Sequence, residues 1–531
     1  EGMGYASRYD AWARPALPAS SSDSLVVRWL SVVGLAAIVT VMLGTGLIGI
    51  DFGHHWDEGP NLLKITNTVR ENVLLPHWYD YPMVIYWISL AVLAPTMPVA
   101  ARAANFSLLE FTGSATYLMQ NRVVFLILSA LMVVWVFIGV LAWRRRWAEA
   151  WLAAAMLGFS WEVAYHSRFV APDAITVQFT ALAVMFMLLA LARPREPRWR
   201  RLAAVAVGLA TGTKYTAGLL LVPLIILTME TWDSRAALSG LAGMVAEALF
   251  LFGLTFYVVS PGVLLEPTAF RDSVQHVGRI YGEGHEVYTV ARGFEHLYRL
   301  LGYLSLALFS HHWPIALLFT LAALAGAYAT ARESGRAALL LASFPVLYVL
   351  YFALTSRVVI VRNVLPVAPF LAVFAARGIA FAVEAVRVIE LRAVLGLACA
   401  GLVVANAVWL FTAAVTIRDR GTGRFAREFS AYITDRPETR FYVTPGAAAV
   451  LGNTLPSNVS RDSSQEADLA AFTAMEVIQC LPANRQGPWM RWFGPYEMNY
   501  RYYPTWTGDN RIVVMRVRGL RAIGALGCLP R

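Results

Sequence analysis

Charge and lysine are scarce in this sequence, and their scarcity excludes several classes of protein. Of its 531 residues, 15% are charged, against roughly 25% in soluble globular domains. Because 58% of the residues are hydrophobic, the composition argues against a soluble enzyme. Lys64 and Lys214 are the only lysines, so the net charge of +10 comes almost entirely from arginine. The arginines form short runs between apolar segments, which is typical of membrane topology signals and not of a nucleic-acid-binding surface.

Cysteine is also scarce, since the chain contains only Cys399, Cys480 and Cys528. Their spacing shows no CxxC and no Cys/His pattern, which excludes the familiar zinc and redox motifs. The sequence has no P-loop either, so the chain shows no such motif for cradling the phosphates of a cytosolic nucleotide.

Long apolar runs are abundant, and they predict a polytopic α-helical membrane protein with about eleven transmembrane helices. One of the runs is long enough for a pair of short helices and is counted as two. The runs are residues 26–49, 121–143, 148–167, 174–192, 202–229 (the pair), 238–259, 312–331, 337–355, 363–382 and 393–415.

The distribution of arginine sets the predicted topology. Segment 82–98 is apolar but barely long enough to span. If it stays outside as an interfacial helix of the first external loop, the arginines of 144–146 and 193–201 lie in the cytoplasm. Residues 1–24 are then a cytoplasmic tail and residues 25–415 a transmembrane domain of a bacterial inner-membrane protein. The regions predicted to be external are residues 51–120, the link at Pro172 and Asp173, residues 260–311 and residues 416–531.

Residues 416–531 contain Pro, Gly, Asn and aromatic residues between short periodic segments, which predicts a small periplasmic α/β domain. Cys480 and Cys528 both fall in it, and the sequence fits either a disulfide, which the periplasm permits, or two buried free thiols. The predicted elements are a helix over Phe425–Thr434, a strand over Arg440–Thr444, a helix over Ser464–Leu481 and a strand over Arg511–Val517.

An acidic pair, Asp57 and Glu58, follows the first apolar run and stands between Trp56 and a helix-starting Gly-Pro. Two adjacent carboxylates at a membrane surface are a costly arrangement unless they are solvated or used chemically. They could equally be acids placed favourably at the positive end of a helix dipole. The motif alone leaves both interpretations open.

Asp173 and Lys214 also lie on the predicted external side. Asp173 starts the fourth apolar run, where it could be catalytic or could cap the helix. Lys214 lies in the turn of the short helix pair, embedded in apolar sequence. A lysine embedded in apolar sequence favours a functional explanation, because an ionisable residue in a membrane segment is costly. Two lysines are few enough that chance is the other interpretation. A compact ammonium suits an anionic headgroup.

Together, the acidic pair, the acid in the second external link and a Gly-x-x-x-Gly-x-Lys-Tyr turn at residues 208–215 resemble the GT-C superfamily of polyprenyl-phosphate-sugar glycosyltransferases. Within it, the aminoarabinose transferase and protein O-mannosyltransferase branch is the most similar. The resemblance covers roughly residues 25–415 and is most specific from Trp56 to Leu90, which includes Asp80-Tyr81-Pro82. The residues after Thr416 have no counterpart in the family pattern.

The resemblance implies a GT-C-like fold and a role for each residue of the motifs. Asp57 takes the position of the catalytic acid/base, Glu58 is its neighbour in the motif, and Asp173 is the second acidic position. Lys214, followed by Tyr215, takes the position of a ligand of the lipid phosphate.

The chemistry of sugar transfer agrees with these roles. A base must take the proton of the acceptor hydroxyl, and cations must stabilise the leaving phosphate. Asp57 is the candidate base. Arg357 and Arg362, between the ninth and tenth predicted spans, join Lys214 as candidate cations, and interfacial anchoring is the other interpretation of either arginine. A single base without a nucleophile motif favours direct displacement with inversion.

A substrate-facing loop and a metal site are also predicted. The loop contains His285 and Glu286 among glycines, and an ordinary solvated turn is its other interpretation. The candidate cofactor is a magnesium or manganese ion bound by carboxylates, which would bridge to the donor phosphate. A divalent metal ligated by histidines and the absence of any cofactor are the other interpretations. The candidate metal ligands are Asp57, Asp173, His54 and His55.

The predicted function is transfer of a sugar from a polyprenyl-phosphate donor to an envelope acceptor on the external face. The acceptor could be a glycan, a lipid-linked saccharide or a protein. The alternative is a transporter or flippase of lipid-linked saccharides, which would carry ionisable residues or broken helices near the bilayer midplane and some repeat symmetry. Here the acids lie at helix ends and the two halves do not match, which favours the enzyme.

The predicted topology is testable by labelling introduced cysteines from outside the cell. Asn105→Cys and Ser457→Cys should react with a membrane-impermeant reagent, whereas Trp199→Cys should not, because the arginine run around it is predicted to be cytoplasmic. Reaction at position 199 without reaction at position 457 would reverse the orientation.

Overall fold

The structure is a computed structural model that describes residues 25–51, 57–102, 106–231, 238–285, 288–310, 312–421, 430–439, 441–443, 456–460, 475–479 and 513–517. Several predictions fall outside these residues, namely the tail 1–24, the pair His54 and His55, Glu286, and the thiols Cys480 and Cys528.

The described chain is mostly helical. The helices of the first half are α1 (Leu25–Leu47), α2 (Glu58–Glu71), α3 (Val84–Leu93), α4 (Met97–Arg102), α5 (Leu108–Thr112), α6 (Ala115–Arg144), α7 (Trp147–Gly158), α8 (Trp161–His166), α9 (Pro172–Ala192), α10 (Pro197–Thr211) and α11 (Leu221–Glu230). Those of the second half are α12 (Leu238–Val259), α13 (Gly262–Leu265), α14 (Pro267–Glu283), α15 (Phe294–Leu306), α16 (Trp313–Glu333), α17 (Gly335–Thr355), α18 (Ala368–Ala385) and α19 (Ile389–Gly421). Short 3₁₀ helices cover Ala94–Thr96, Tyr215–Leu220 and Val361–Val367.

Eight helices of the described chain are long and apolar enough to cross a membrane, which agrees with a multi-pass membrane protein. They coincide with eight of the predicted apolar runs. These helices differ in how much of their apolar segment is buried inside the protein. The buried share is 83% in the helix over 361–385, but only 11% in the helix over 389–412 and 6% in the helix over 238–259. Helix α18 is therefore central, whereas α12 and α19 present most of their apolar surface outward, as lipid-facing helices do.

The remaining predicted runs are divided into shorter helices. Run 148–167 is broken between α7 and α8, where the Ser160 hydroxyl accepts a hydrogen bond from Val163 N and so caps the new helix. Run 202–229 forms the predicted pair, α10 and α11, joined by the 3₁₀ helix. The total of eleven spans stays a prediction, because these pieces are shorter than a full span.

Helix α3 is too short to cross a membrane by itself. Together with the following 3₁₀ turn it forms an apolar helix over Val84–Thr96. At about 1.5 Å per residue this helix reaches about 20 Å, which is short of the ~30 Å hydrocarbon core. The segment fits the predicted interfacial helix better than a span.

The chain after α19 contains a four-stranded sheet of β1 (Phe441–Val443), β2 (Val459–Ser460), β3 (Met475–Gln479) and β4 (Val513–Val517), in the order β2-β1-β3-β4. The predicted strands at 440–444 and 511–517 correspond to β1 and β4. The predicted helix Ser464–Leu481 is wrong over residues 475–479, because this segment pairs in parallel with β1 and antiparallel with β4. Its neighbouring Val477 and Ile478 are β-branched, which favours a strand.

Close contact between α16 and α18 depends on two glycines. A Cβ on Gly326 would overlap the carbonyl oxygen of Phe374, and a Cβ on Gly378 would overlap that of Ala322. Small residues at such crossings let helix backbones approach within a membrane. The approach places α18, and the 3₁₀ helix that precedes it, at the centre of the bundle.

Gly326→Leu should therefore destabilise the protein strongly, because backbone atoms and not flexible side chains occupy the space. We expect a loss of about 3 kcal/mol or more, at the upper end of overpacking effects. Gly396→Leu is the matched control, since the space around Gly396 in α19 is open. Thermal inactivation of the purified variants checks this, and equal melting of the two variants would contradict the role of the crossing.

Candidate active site

Two carboxylates and two cations from four separate links meet at the end of the bundle that the sequence predicts to be external. Asp57 precedes α2, Asp173 lies in the first turn of α9, Lys214 follows α10, and Arg362 lies in the 3₁₀ helix before α18. Arg362 Nη2 is 2.7 Å from Asp57 Oδ2, and Arg362 Nε is 3.3 Å from Asp173 Oδ2. Lys214 Nζ is 2.7 Å from Asp173 Oδ1. We refer to these four residues as the charge cluster.

The side chain of Asp57 does not cap α2. Asp57 occupies the N-cap position, but its carboxylate makes no capping hydrogen bond and pairs with Arg362 instead. With 17% of its side chain exposed, it is the most accessible member of the charge cluster, since Asp173, Lys214 and Arg362 are 3%, 8% and 6% exposed. The Asp57 carboxylate therefore serves an ion pair and not a helix cap.

Lys214 is held by a network that sequence reasoning missed. Its ammonium donates to Asn363 Oδ1 at 2.7 Å as well as to Asp173, and Asn363 Nδ2 donates to the Tyr281 hydroxyl at 3.0 Å. Asn363 directly follows Arg362, so one 3₁₀ helix supplies both a cation and the amide that orients the other cation. Nothing in the local sequence around Asn363 or Tyr281 marks them as partners of Lys214.

The turn that carries Lys214 is fixed by close packing. The N–H of Val84, at the start of α3, donates to the carbonyl oxygen of Gly212 at 3.0 Å. A Cβ on Gly212 would run into the side chain of Val259, so the Gly-x-Lys spacing has a steric reason. The start of α3 thus stabilises the turn that carries Lys214.

Glu58 does not join Asp57 in the charge cluster. Its carboxylate is 1% exposed and receives two hydrogen bonds from Arg122, from Nε at 2.9 Å and from Nη2 at 2.6 Å. Val170 N also donates to it at 3.2 Å, and Asn61 Nδ2 donates to Val170 O at 3.0 Å. Glu58 therefore fastens the start of α2 to the link that carries Asp173, and it acts as a structural anchor.

The other predicted site residues lie around the charge cluster without joining its ion pairs. Tyr215 donates its hydroxyl proton to Tyr79 O at 2.7 Å. The side chain of Arg357 is exposed, and its backbone N–H donates to Tyr281 O at 2.7 Å. His285 is exposed and its ring stacks on Tyr288. The segment after His285 is bound to the link before the 3₁₀ helix by Val359 N, which donates to Tyr288 O at 2.9 Å.

A second buried ion pair lies in the first external loop. Lys64 Nζ is 2.7 Å from Asp80 Oδ1 and 5.1 Å from the centre of the Trp78 ring. Burial lowers the pKa of Lys64, while the charge of Asp80 and the hydrogen bond to it oppose that shift. The scarcity of lysine was the sequence signal that could have identified Lys64 as a site residue. Both lysines of the chain are buried and paired with an aspartate.

Tyr81 connects this loop with the charge cluster. Its ring packs against the cluster of Val84, Val170 and Ile175. Burial raises the pKa of the Tyr81 phenol well above its usual value, and the negative charges of Asp57 and Asp173 raise it further. The hydroxyl therefore stays protonated and able to donate a hydrogen bond near the carboxylates.

The predicted metal has no assembled ligand set among the described residues, where no three His, Cys, Asp or Glu side chains come together. Asp57 and Asp173 are bound to Arg362 and Lys214, so the two acids do not present a bare carboxylate pair. A carboxylate-bound magnesium or manganese ion stays a prediction, and so does the His-ligated alternative, because His54 and His55 lie outside the described residues.

Part of the chain matches a known protein family. Residues 106–261 match the family model described as dolichyl-phosphate-mannose-protein mannosyltransferase. This segment includes Asp173 and Lys214 of the charge cluster. The match supports the predicted resemblance over this segment of the chain.

Three solved structures are similar to the chain at low sequence identity. ArnT from Cupriavidus metallidurans bound to undecaprenyl phosphate is 14% identical, with 85% of this chain and 93% of that chain covered and a TM-score of 0.48. The apo state of the same protein is also 14% identical, with 86% of this chain and 93% of that chain covered and a TM-score of 0.49. The oligosaccharyltransferase of Archaeoglobus fulgidus in the apo form is 11% identical, with 81% of this chain and 64% of that chain covered and a TM-score of 0.49. No curated protein sequence shows significant similarity to the chain.

The anchoring role of Glu58 is testable through stability. Glu58→Gln should cost about 3 to 5 kcal/mol, because it leaves the charge of Arg122 buried without its partner. Glu295→Gln is a control, since the pair of Glu295 with Arg299 lies on an exposed helix surface and should contribute little. Chemical or thermal unfolding of the two variants provides the measurement. Normal stability of Glu58→Gln combined with lost sugar transfer would instead make Glu58 a catalytic residue.

Proposed function

We propose that the protein transfers one sugar from a polyprenyl-phosphate donor to an acceptor hydroxyl on the external face of the bacterial inner membrane. The observation that carries this proposal is the convergence of Asp57, Asp173, Lys214 and Arg362 from four distant links into one site. The matched family description names a lipid-phosphate-linked mannose as donor, which supports a lipid-linked sugar here. Residues 25–415 form the catalytic membrane domain, and residues 416–531 a periplasmic α/β domain.

The donor phosphate binds to Lys214 and Arg362. Both cations are buried and already oriented. Asn363 orients Lys214, and the two aspartates orient Arg362. The four charges sum to zero without ligand, so an entering phosphate competes with the carboxylates for the two cations. Such pre-oriented cations stabilise the charge that develops on a leaving phosphate, because they need little reorganisation during the reaction.

Asp57 is the general base. When the phosphate draws Arg362 toward itself, the Asp57 carboxylate loses part of its counterion and becomes a better proton acceptor. The acceptor hydroxyl attacks C1 of the sugar, its proton passes to Asp57, and the bond between C1 and the phosphate oxygen breaks. The electron pair of that bond leaves with the phosphate, which Lys214 and Arg362 hold.

Asp173 positions the cations and does not take part in proton transfer. Its two carboxylate oxygens bind Lys214 and Arg362 separately, and 3% of its side chain is exposed, so it has little room for substrate. With one accessible carboxylate, the site fits a single displacement with inversion at C1 better than a covalent intermediate. The acceptor is an envelope glycan, a lipid-linked saccharide or a protein hydroxyl.

The geometry favours this reaction over transport of lipid-linked saccharides. The charge cluster lies at one end of the helical bundle, where helices begin or end, and its cations are paired with aspartates. A transporter would be expected to place its ionisable residues near the bilayer midplane, between halves related by symmetry.

Single-turnover transfer with pre-bound donor tests the role of Asp57. Asp57→Asn keeps the size of the side chain but cannot take the proton, so transfer should slow by ~10² to 10⁴ while donor binding is retained. Lys214→Ala is the contrasting variant, in which donor binding itself should weaken. Lys214→Arg should restore little of it, because a planar guanidinium does not replace a compact ammonium in a tight turn.

Two results would contradict the assignment. Near-normal transfer by Asp57→Asn would remove Asp57 as the base. Unchanged donor affinity in Lys214→Ala would leave that residue as a structural partner of Asp173 only.

A further inference from the structure

A small cleft opens in the first external loop beside the charge cluster. It is lined by Asn61, Lys64, Pro76, Trp78, Tyr81 and Tyr86, among others. Trp78 keeps 39% of its surface exposed, although large aromatic side chains are usually buried. The cleft therefore combines an accessible aromatic ring with polar groups that are held in place.

The polar groups of the cleft are fixed and nearly neutral as a set. Lys64 is 5% exposed and is paired with Asp80, whose side chain is 19% exposed. Among the residues that the structure describes, Asp80 Oδ1 accepts the bond from Lys64, whereas Oδ2 carries none. The pair therefore offers a carboxylate oxygen as acceptor beside an ammonium with further N–H donors.

Two residues connect the cleft with the charge cluster. Tyr81 lines the cleft and also lies within the electrostatic influence of Asp57 and Arg362. Asn61 lines the cleft and bonds to Val170 O in the link that carries Asp173. A molecule in the cleft would thus have one end close to the proposed base.

We propose that this cleft binds a sugar ring of the acceptor, which makes the acceptor a saccharide and not a protein side chain. The inference rests on the proposed sugar transfer. A pyranose presents one face of C–H bonds, which packs against an aromatic ring because the ring face is electron-rich. Its neighbouring hydroxyls donate to a carboxylate and accept from an ammonium, which is the pair that Asp80 and Lys64 provide.

A phosphate group fits the cleft less well than a sugar. Lys64 is the one cation among the described residues that line the cleft, and it is paired with Asp80, so a phosphate there would have a single counterion. In the charge cluster, by contrast, two cations converge and one of the acids is accessible. The donor phosphate and the acceptor sugar therefore have separate places, with Asp57 between them.

Binding of simple sugars to the full-length protein in lipid nanodiscs tests this proposal without requiring transfer. The probes are methyl glycosides of glucose, galactose, mannose and N-acetylglucosamine, observed by saturation-transfer NMR. At least one should bind, with the strongest transfer to the protons of one ring face. Trp78→Ala should weaken that binding by about tenfold, as expected for loss of one aromatic contact, and Trp78→Phe should restore part of it.

The matched control is Trp313→Ala. Trp313 is similarly exposed, at 47%, and begins α16 at the end of the bundle that carries the charge cluster. Its removal should leave glycoside binding unchanged. Binding of undecaprenyl phosphate is measured on the same samples and should be unaffected in both variants.

Three outcomes would overturn the proposal. They are the absence of binding by every glycoside to the unmodified protein, equal binding by Trp78→Ala, and a loss of undecaprenyl phosphate binding in Trp78→Ala with glycoside binding intact. The last outcome would assign the cleft to the donor lipid. Because these measurements need no turnover, failure of sugar transfer in the full reaction would be recognised separately.

Discussion

The need to pair buried charges at one end of an apolar bundle organises this structure. A charge removed from water is costly unless an opposite charge and hydrogen bonds compensate it. Asp173 satisfies this requirement with Lys214 and Arg362, and Arg362 also binds Asp57. Since the four residues lie on four different links, their pairing draws those links together. The same contacts that compensate the charges therefore assemble the site.

The ion pairs differ in how permanent they are. The pair of Glu58 and Arg122 is sealed, with both side chains 1% exposed, and a backbone N–H completes the coordination of the carboxylate. The pair of Arg362 and Asp57 is more open, because 17% of the Asp57 side chain remains accessible. An anionic substrate can exchange with an accessible pair far more easily than with a sealed one. Adjacent acids in the sequence thus serve a fixed contact and an exchangeable one.

The two lysines divide the site into parts of different character. Lys214 belongs to a cluster with a second cation, which suits a phosphate, whereas Lys64 is balanced by Asp80 and stands beside Trp78, which suits an uncharged polar ring. Tyr81 lies between the two parts, and its high pKa keeps it a neutral hydrogen-bond donor. In a chain that otherwise uses arginine for positive charge, both compact ammonium groups are found at this site.

The sequence by itself determined the apolar runs and the short helix α3, because hydropathy is a local property summed along the chain. It also identified the four residues of the charge cluster as candidates, because charged side chains next to apolar runs are conspicuous. Only the tertiary structure decided the partners. Successive residues at a helix start point about 100° apart, so Glu58 turns to Arg122 while its neighbour Asp57 meets Arg362. Asn363 became recognisable only once distant links met, since its partner Lys214 is 149 residues away. Residues 475–479 likewise form a strand because β1 and β4 lie on either side of them, and no local pattern contains that information.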